Sequence, residues 1–337
     1  MSKKVIIVGG GVAGMQAALS LKGQGIDSVI VEKSDRLGGK LCDWHKLFPT
    51  FTPASEVLGP LKEAVERAGV EVRTGAEAER IAPDSVLLKS GERLSADAVV
   101  VCSGFDLFDA RIKEEYGYGI YDNVYTTADI ERMMNEGAVA LPGGHAPRRI
   151  AFLHCVGSRD EKVGQRHCSR VCCITGVKQA MEMKTLFPQC EVYNFYMDIR
   201  MFGPGYEELY RQAQEEYNIH FVRGRISEAS PTFDGRLQIK AEDTLVGRPL
   251  KMSVDMLVLI IGMRAGESNG RFAQCPGVGC ASNGFLAPAD LFSGSVLSPV
   301  EGVFYAGTVT APKNVGESMS EGAYAALRVA EYLGARS

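Results

Sequence analysis

Apolar residues fall along this chain in short unbroken runs, separated by glycine turns and by stretches with helical spacing. The first run, Val5-Ile-Ile-Val8, leads through a glycine turn into a helix-patterned stretch at 12–22 and a second run at 28–31. Unbroken runs of four or five with helices between them predict strands buried on both faces, which is a parallel sheet with helices packed on it. The same reading places a helix over 54–68, short strands at 70–72 and 85–88, and a buried strand at 98–101. The stretch 111–147 is looser and tyrosine-rich, with one helix at 128–136 and the linker-like Leu141-Pro-Gly-Gly-His-Ala-Pro147. A second alternation follows: strand 149–154, a cysteine-bearing loop, helix 173–187, strand 191–196, helix 206–217, and strands at 219–222 and 237–241. A buried strand at 252–261, another at 302–307 and a helix over 318–333 come last. The pattern predicts an α/β protein of two dinucleotide-domain-like lobes. The second lobe, 146–245, is expected as an insertion in a first lobe made of 1–145 and 246–337.

Composition narrows what such a chain does. Its 337 residues carry a formal charge of -4 and no basic stripe, which argues against a nucleic-acid surface. The start, Met-Ser-Lys-Lys and then four apolar residues, is too short for a signal peptide, so the expected location is the cytoplasm. No apolar run approaches the roughly 18 residues of a membrane span, so direct membrane insertion is not expected. Nine cysteines in such a chain point to metal binding or redox chemistry, since the cytosol keeps thiols reduced.

The glycine turn Gly9-Gly-Gly11-Val12-Ala13-Gly14 joins strand to helix, and Glu32 ends the second strand 18 residues past Gly14. In this context Gly9 makes the tight turn, Gly11 lets backbone approach a pyrophosphate, and Gly14 lets the helix meet the sheet. The helix N-terminus then supplies amide donors, and Glu32 is placed to accept from an adenosine ribose. Lys33 and Gly38-Gly39-Lys40 follow closely. With Ser103-Gly104 after one later strand and Ala306-Gly307-Thr308 after another, this set resembles the two-dinucleotide-binding-domain flavoproteins, the superfamily of thioredoxin reductase. The resemblance implies FAD as cofactor. It also places Lys313 and Asn314 near the flavin, with Lys313 the candidate for tuning it. Thr308 stands where the superfamily usually has an aspartate.

The second lobe lacks the glycine loop that would seat a nicotinamide dinucleotide. In its place come Cys155-Val-Gly-Ser-Arg-Asp160 and Cys168-Ser-Arg-Val-Cys172-Cys173. Four thiols within nineteen residues form a complete ligand set. Iron–sulfur, zinc and a reactive dithiol all remain open, with zinc disfavoured because only Cys168/Cys172 has knuckle spacing. Arg159, Lys162, Arg166, His167 and Arg170 surround the thiols and would offset an anionic cluster. Elsewhere, Cys42 has Leu47 where a redox partner would stand, Cys102 and Cys190 read as core thiols, and Cys275 and Cys280 flank a Pro-Gly-Val-Gly loop.

The two cysteine runs resemble those of the heterodisulfide reductase A-subunit family. That resemblance implies a [4Fe–4S] cluster on Cys155, Cys168, Cys172 and Cys173 beside an FAD, and an oxidoreductase that works with other subunits of a heterodisulfide-reductase-like complex and an electron carrier, as a homodimer. The chain has no further Cys-x2-Cys-x2-Cys run. It therefore resembles the core-length A-subunit of the heterodisulfide-reductase-like complex of sulfur-oxidising bacteria, and next the A-subunit of the quinone-interacting oxidoreductase of sulfate reducers. A stand-alone NAD(P)H-dependent disulfide reductase and a zinc scaffold with structural FAD are the competing expectations.

Overall fold

The computed structural model describes residues 3–335; Met1 and Ser2 of the short basic start lie outside them. The chain divides into two compact units, Met1–Cys42 with Ala54–Asp106 and Arg264–Ser337, and Asp43–Pro53 with Leu107–Met263. The second unit thus exceeds the expected 146–245, and the strand pairing gives the reason. Val124–Thr126 pairs in parallel with Met256–Ile261, which draws the tyrosine-rich stretch into the second unit.

In the first unit five parallel strands lie in the order Val303–Tyr305, Ala98–Val101, Lys4–Val8, Asp27–Val31, Glu71–Arg73. In the four strands other than the edge strand Glu71–Arg73 the side chains are almost wholly buried, as apolar runs require when both faces are covered. Helices Val12–Gly23 and Val315–Ala335 pack closely on each other at Gly322, where a Cβ would stand 2.4 Å from the Ala13 carbonyl oxygen. A three-stranded antiparallel sheet, Ala78–Ala82, Ser85–Leu88 and Arg93–Ser95, completes the unit. Its outer strands escape the sequence pattern because they are short and largely polar. The last helix starts at Val315, three residues earlier than the pattern predicts. Asn314 and Glu317 cap it reciprocally, Oδ1 of Asn314 accepting from the Glu317 amide at 2.8 Å and Oε2 of Glu317 from the Asn314 amide at 2.9 Å.

The second unit repeats the design with its own five parallel strands, Val124–Thr126, Met256–Ile261, Arg149–Val156, Glu191–Tyr196 and His220–Arg223 in spatial order. Ile226–Pro231, Leu237–Asp243 and Arg248–Val254 form its antiparallel sheet. The single strand expected at 252–261 is therefore two strands in two sheets. They part at Asp255, whose carboxylate accepts from the amides of Arg148 at 2.9 Å and Arg149 at 2.7 Å. Helices Thr127–Asn135, Cys172–Leu186 and Tyr206–Glu215 accompany the sheet.

A buried polar knot ties Asp43–Pro53 into this unit. The Lys178 ammonium lies 2.5 Å from Glu131 and 3.2 Å from Glu182, and donates to the Lys46 carbonyl at 2.9 Å. The His45 amide donates to Glu131 at 2.7 Å. Lys178 and Glu131 are each only 1% exposed. Removing one partner of such a set strands the others' charge. Lys178→Ala is expected to destabilise the chain by ~3–5 kcal/mol, read as a fall in urea midpoint at unchanged slope. Among the described residues no helix is long and apolar enough to cross a membrane.

Candidate functional site

The three segments singled out in the first unit meet at the C-terminal ends of the strands Lys4–Val8, Ala98–Val101 and Val303–Tyr305, where doubly wound sheets bind their ligands. Gly9, at φ +112°, would drive a Cβ to 2.3 Å from the Cys102 carbonyl oxygen, and a Cβ on Gly14 would stand 2.0 Å from the Gly9 carbonyl. Neither position tolerates a side chain. Gly11 has ordinary extended backbone, and a Cβ there meets nothing within 4 Å. That open space lies over the N-terminus of Val12–Gly23, where Val12, Ala13 and Gly14 present backbone amides. Glu32 is buried, and its carboxylate accepts from the amides of Gly10 at 2.6 Å and Ser34 at 2.8 Å. It therefore shapes the glycine turn first, and keeps lone pairs on both oxygens for a ribose.

Gly38 and Gly39 adopt positive φ, and the Gly38 amide donates to the Gly10 carbonyl at 2.8 Å, folding this segment against the turn. Lys40 lies 5.3 Å above the Phe105 ring, while Lys33 is exposed. The Ser103 hydroxyl is buried without a hydrogen-bond partner, and Gly104 and Thr308 come together beside it. A buried orphan hydroxyl beside an open, amide-lined turn fits a bound dinucleotide.

Lys313 and Asn314 sit differently from the expectation. Nζ of Lys313 donates to the Gly307 carbonyl at 3.0 Å and to Thr310 at 2.7 Å, and lies 3.3 Å from Glu321; Asn314 is spent as the helix cap. Sequence reasoning missed Glu321, whose Oε2 accepts the Gly307 amide at 2.9 Å. Burial pushes its carboxyl above the usual range despite Lys313. It supplies a carboxylate at the turn where Thr308 does not. Its signal in the sequence was the pair Glu317 and Glu321, spaced to lie on one face of the last helix.

In the second unit, the connection between the central parallel strand Arg149–Val156 and the helix Cys172–Leu186 carries the cysteines. This is the place in the topology that the glycine turn fills in the first unit. Cys155, Cys172 and Cys173 are buried, Cys168 is half-buried, and all four are near enough to act on one another electrostatically. Burial first, then the neighbouring thiols, pushes Cys172 well up, and burial pushes Cys173 to about 12. Four thiols that oppose one another's ionisation in a buried loop form a donor set that a bound cation would relieve. They are gathered but not closed around a point: among the described residues no group of three or more His, Cys, Asp or Glu side chains is arranged as a metal site.

The loop is held in a costly conformation. Cys155, Arg159 and Arg170 all have left-handed backbone, with φ of 61°, 54° and 62°. Ser158 and Ser169 staple its two limbs, since the Ser169 amide donates to the Ser158 hydroxyl at 3.0 Å and the Met263 amide donates to the Ser169 hydroxyl at 2.8 Å. Asp160 anchors it through Lys113 at 2.9 Å and Arg225 at 2.8 Å. Burial raises the Asp160 carboxyl, but these two cations outweigh it and hold the group below the carboxylate range.

Of the basic residues flagged around the thiols, Arg159 bonds Asp198 at 2.7 Å and acts on Cys155. His167 pairs with the Met263 carbonyl at 2.8 Å, and Arg170 stacks 5.6 Å from the Phe202 ring centre. Lys162 and Arg166 are exposed. Cys42 lies 3.8 Å from the Lys62 ammonium. All nine cysteines are free thiols.

Residues 3–129 match the family model described as pyridine nucleotide-disulphide oxidoreductase. Over 98% of its length the chain is 32% identical to the iron-sulfur A-subunit of the CoB–CoM heterodisulfide reductase of Methanocaldococcus jannaschii. It is 31% identical over the same share to the A-subunit of the H2/formate:CoB-CoM heterodisulfide,ferredoxin reductase of Methanococcus maripaludis. Over nearly its whole length the chain is thus similar to heterodisulfide reductase A-subunits. It spans 64% of the length of each of these two relatives. The alignment to the second runs over 423 positions, more than the 337 residues of this chain, so the aligned part of that relative also carries insertions. The fold is that of thioredoxin reductase. The T. acidophilum enzyme superimposes with a TM-score of 0.69 at 18% identity, covering 99% of this chain and 100% of that one. The Lactococcus lactis enzyme gives 0.70 at 16%, covering 98% and 99%.

Proposed function

We propose that this chain is an FAD and [4Fe–4S] electron-transfer subunit of a heterodisulfide-reductase-like complex acting in cytoplasmic sulfur metabolism, on the side of sulfur oxidation, as a homodimer. One observation carries the reading: the strand-to-helix connection of the second unit, the counterpart of the first unit's glycine cradle, holds four thiols. The names of the relatives, one an iron-sulfur protein and one part of a ferredoxin-linked reductase, support the same assignment. FAD, where bound, supplies exchange between two-electron and one-electron transfer, and an iron–sulfur group supplies single-electron steps.

The residues serve those groups as follows. Gly11 would leave room for a pyrophosphate, the amides of Val12, Ala13 and Gly14 at the helix N-terminus would bind it, and Glu32 would accept from the ribose. Ser103, Gly104, Gly307 and Thr308 line the remainder of the cradle, and Lys313, neutralised in part by Glu321, sets its charge. In the second unit, Cys155, Cys168, Cys172 and Cys173 would hold the cluster. Cys172 and Cys173 stand at a helix N-terminus, whose dipole favours thiolate, and Arg159 offsets the negative charge.

The test is elemental analysis of the anaerobically purified protein, with about four iron and four sulfide per chain expected for one [4Fe–4S] centre. One tight zinc without sulfide overturns the cluster and leaves a zinc scaffold. In the same sample NADH is expected to leave the flavin oxidised on the stopped-flow timescale. Rapid bleaching with turnover on a disulfide overturns the electron-transfer reading in favour of a stand-alone reductase.

A further inference from the structure

The segment after the strand Glu191–Tyr196 runs across the cysteine loop and carries an unusual charge. The Cys173 thiol donates to the Asp198 carbonyl at 3.8 Å, and the backbone at Arg200 also bonds this thiol. Around Asp198 stand Arg159 at 2.7 Å and Arg223 at 3.9 Å, with Arg200 also acting on it electrostatically. Arg170 stacks on Phe202, itself 62% exposed. Arg166 extends the group, next to His167, whose carbonyl accepts the Arg159 amide at 2.9 Å. Five arginines thus meet two carboxylates, Asp198 and Glu161, the latter 3.6 Å from Arg166. This is a cationic face on a chain whose formal charge is -4.

We propose that this face, Arg166, Arg170, Arg200, Arg223 and Phe202, is the docking surface for an acidic redox protein that exchanges electrons with the group held by the cysteines. The inference rests on the proposed function only for what is exchanged; the docking itself follows from charge. A cationic patch on a protein of opposite net charge steers an acidic partner to one place and turns basic ones away. Phe202, exposed and backed by a guanidinium, is the kind of aromatic anchor that carries interface energy. The cover is thin here, because the same segment touches Cys173 on one side and solvent on the other.

The probe is a small acidic two-iron ferredoxin, with basic cytochrome c as the opposite case, titrated onto the full chain and followed by fluorescence anisotropy. Binding of the ferredoxin at 20 mM salt (about a 20 Å screening length) is expected to weaken about tenfold or more by 200 mM. Arg200→Glu with Arg223→Glu is expected to weaken it at least tenfold further, and Phe202→Ala several-fold, while flavin content and thermal midpoint stay those of the parent chain. Cytochrome c is expected to show the reverse charge response. No ferredoxin binding at low salt, or binding indifferent to the charge reversals, overturns the docking surface. The salt titration of the parent chain stands even where a variant folds poorly. Because anisotropy needs no iron in the cysteine loop, its outcome is separate from the metal analysis that decides the cluster.

Discussion

Cys172→Ser, purified without oxygen, is expected to lose most of its iron and all of its acid-labile sulfide, with the flavin retained. The thiol sits on the first turn of Cys172–Leu186, only 7% exposed. A hydroxyl in its place keeps the volume and the helix but offers a hard, weakly acidic oxygen where soft iron requires thiolate. The loss is specific to the loop. Cys190 is more deeply buried, at 1% exposed, and its thiol donates to the Glu191 carbonyl at 3.4 Å outside the loop. Cys190→Ser is therefore expected to keep the parent's iron and sulfide. Equal iron loss in both variants would mean that general destabilisation, not ligation, is being measured, and an iron content indifferent to Cys172→Ser would remove this residue from the ligand set.

The second large effect is expected at Gly11. Two glycines of the same turn should fail in different ways. A Cβ at Gly14 collides with backbone at 2.0 Å, so Gly14→Val breaks the packing of helix on sheet and gives little folded protein. At Gly11 the backbone is extended and the added side chain meets only open space. Gly11→Val is expected to fold with an unchanged urea midpoint and to bind FAD on the order of 100-fold more weakly, about 2.7 kcal/mol, because the valine occupies the approach to the amide donors. Equilibrium dialysis of FAD against the two variants and the parent reads this directly. Flavin bound at parental affinity by Gly11→Val would move the cofactor away from this turn.

The central strands of both parallel sheets were legible because residues buried on both faces must be largely apolar, and Val5-Ile-Ile-Val8 or Met256–Ile261 can hardly be anything else. The glycine cradle was legible for a related reason: each glycine answers a local demand of backbone geometry that its neighbours in sequence impose. The short strands Ala78–Ala82 and Arg93–Ser95 were not, since half their residues face solvent and carry no distinguishing pattern. Nor was the start of the last helix, because Gly316 hides a cap that only Asn314 and Glu317 together reveal.

By itself the sequence determined two dinucleotide-domain-like halves, a glycine turn for a nucleotide and four thiols in the place of a second one. Only the tertiary structure decided which chain segments belong to which half. Strand pairing brings Val124–Thr126 beside Met256–Ile261 from more than a hundred residues away, and no local pattern encodes such a partner. It also decided that Lys313 is bound to Glu321 and the Gly307 turn, and that Asp198, Arg200 and Phe202 come to lie over the cysteine loop. Thiol spacing is a property of neighbours along the chain. The charge that surrounds the thiols is set by residues that only folding brings near.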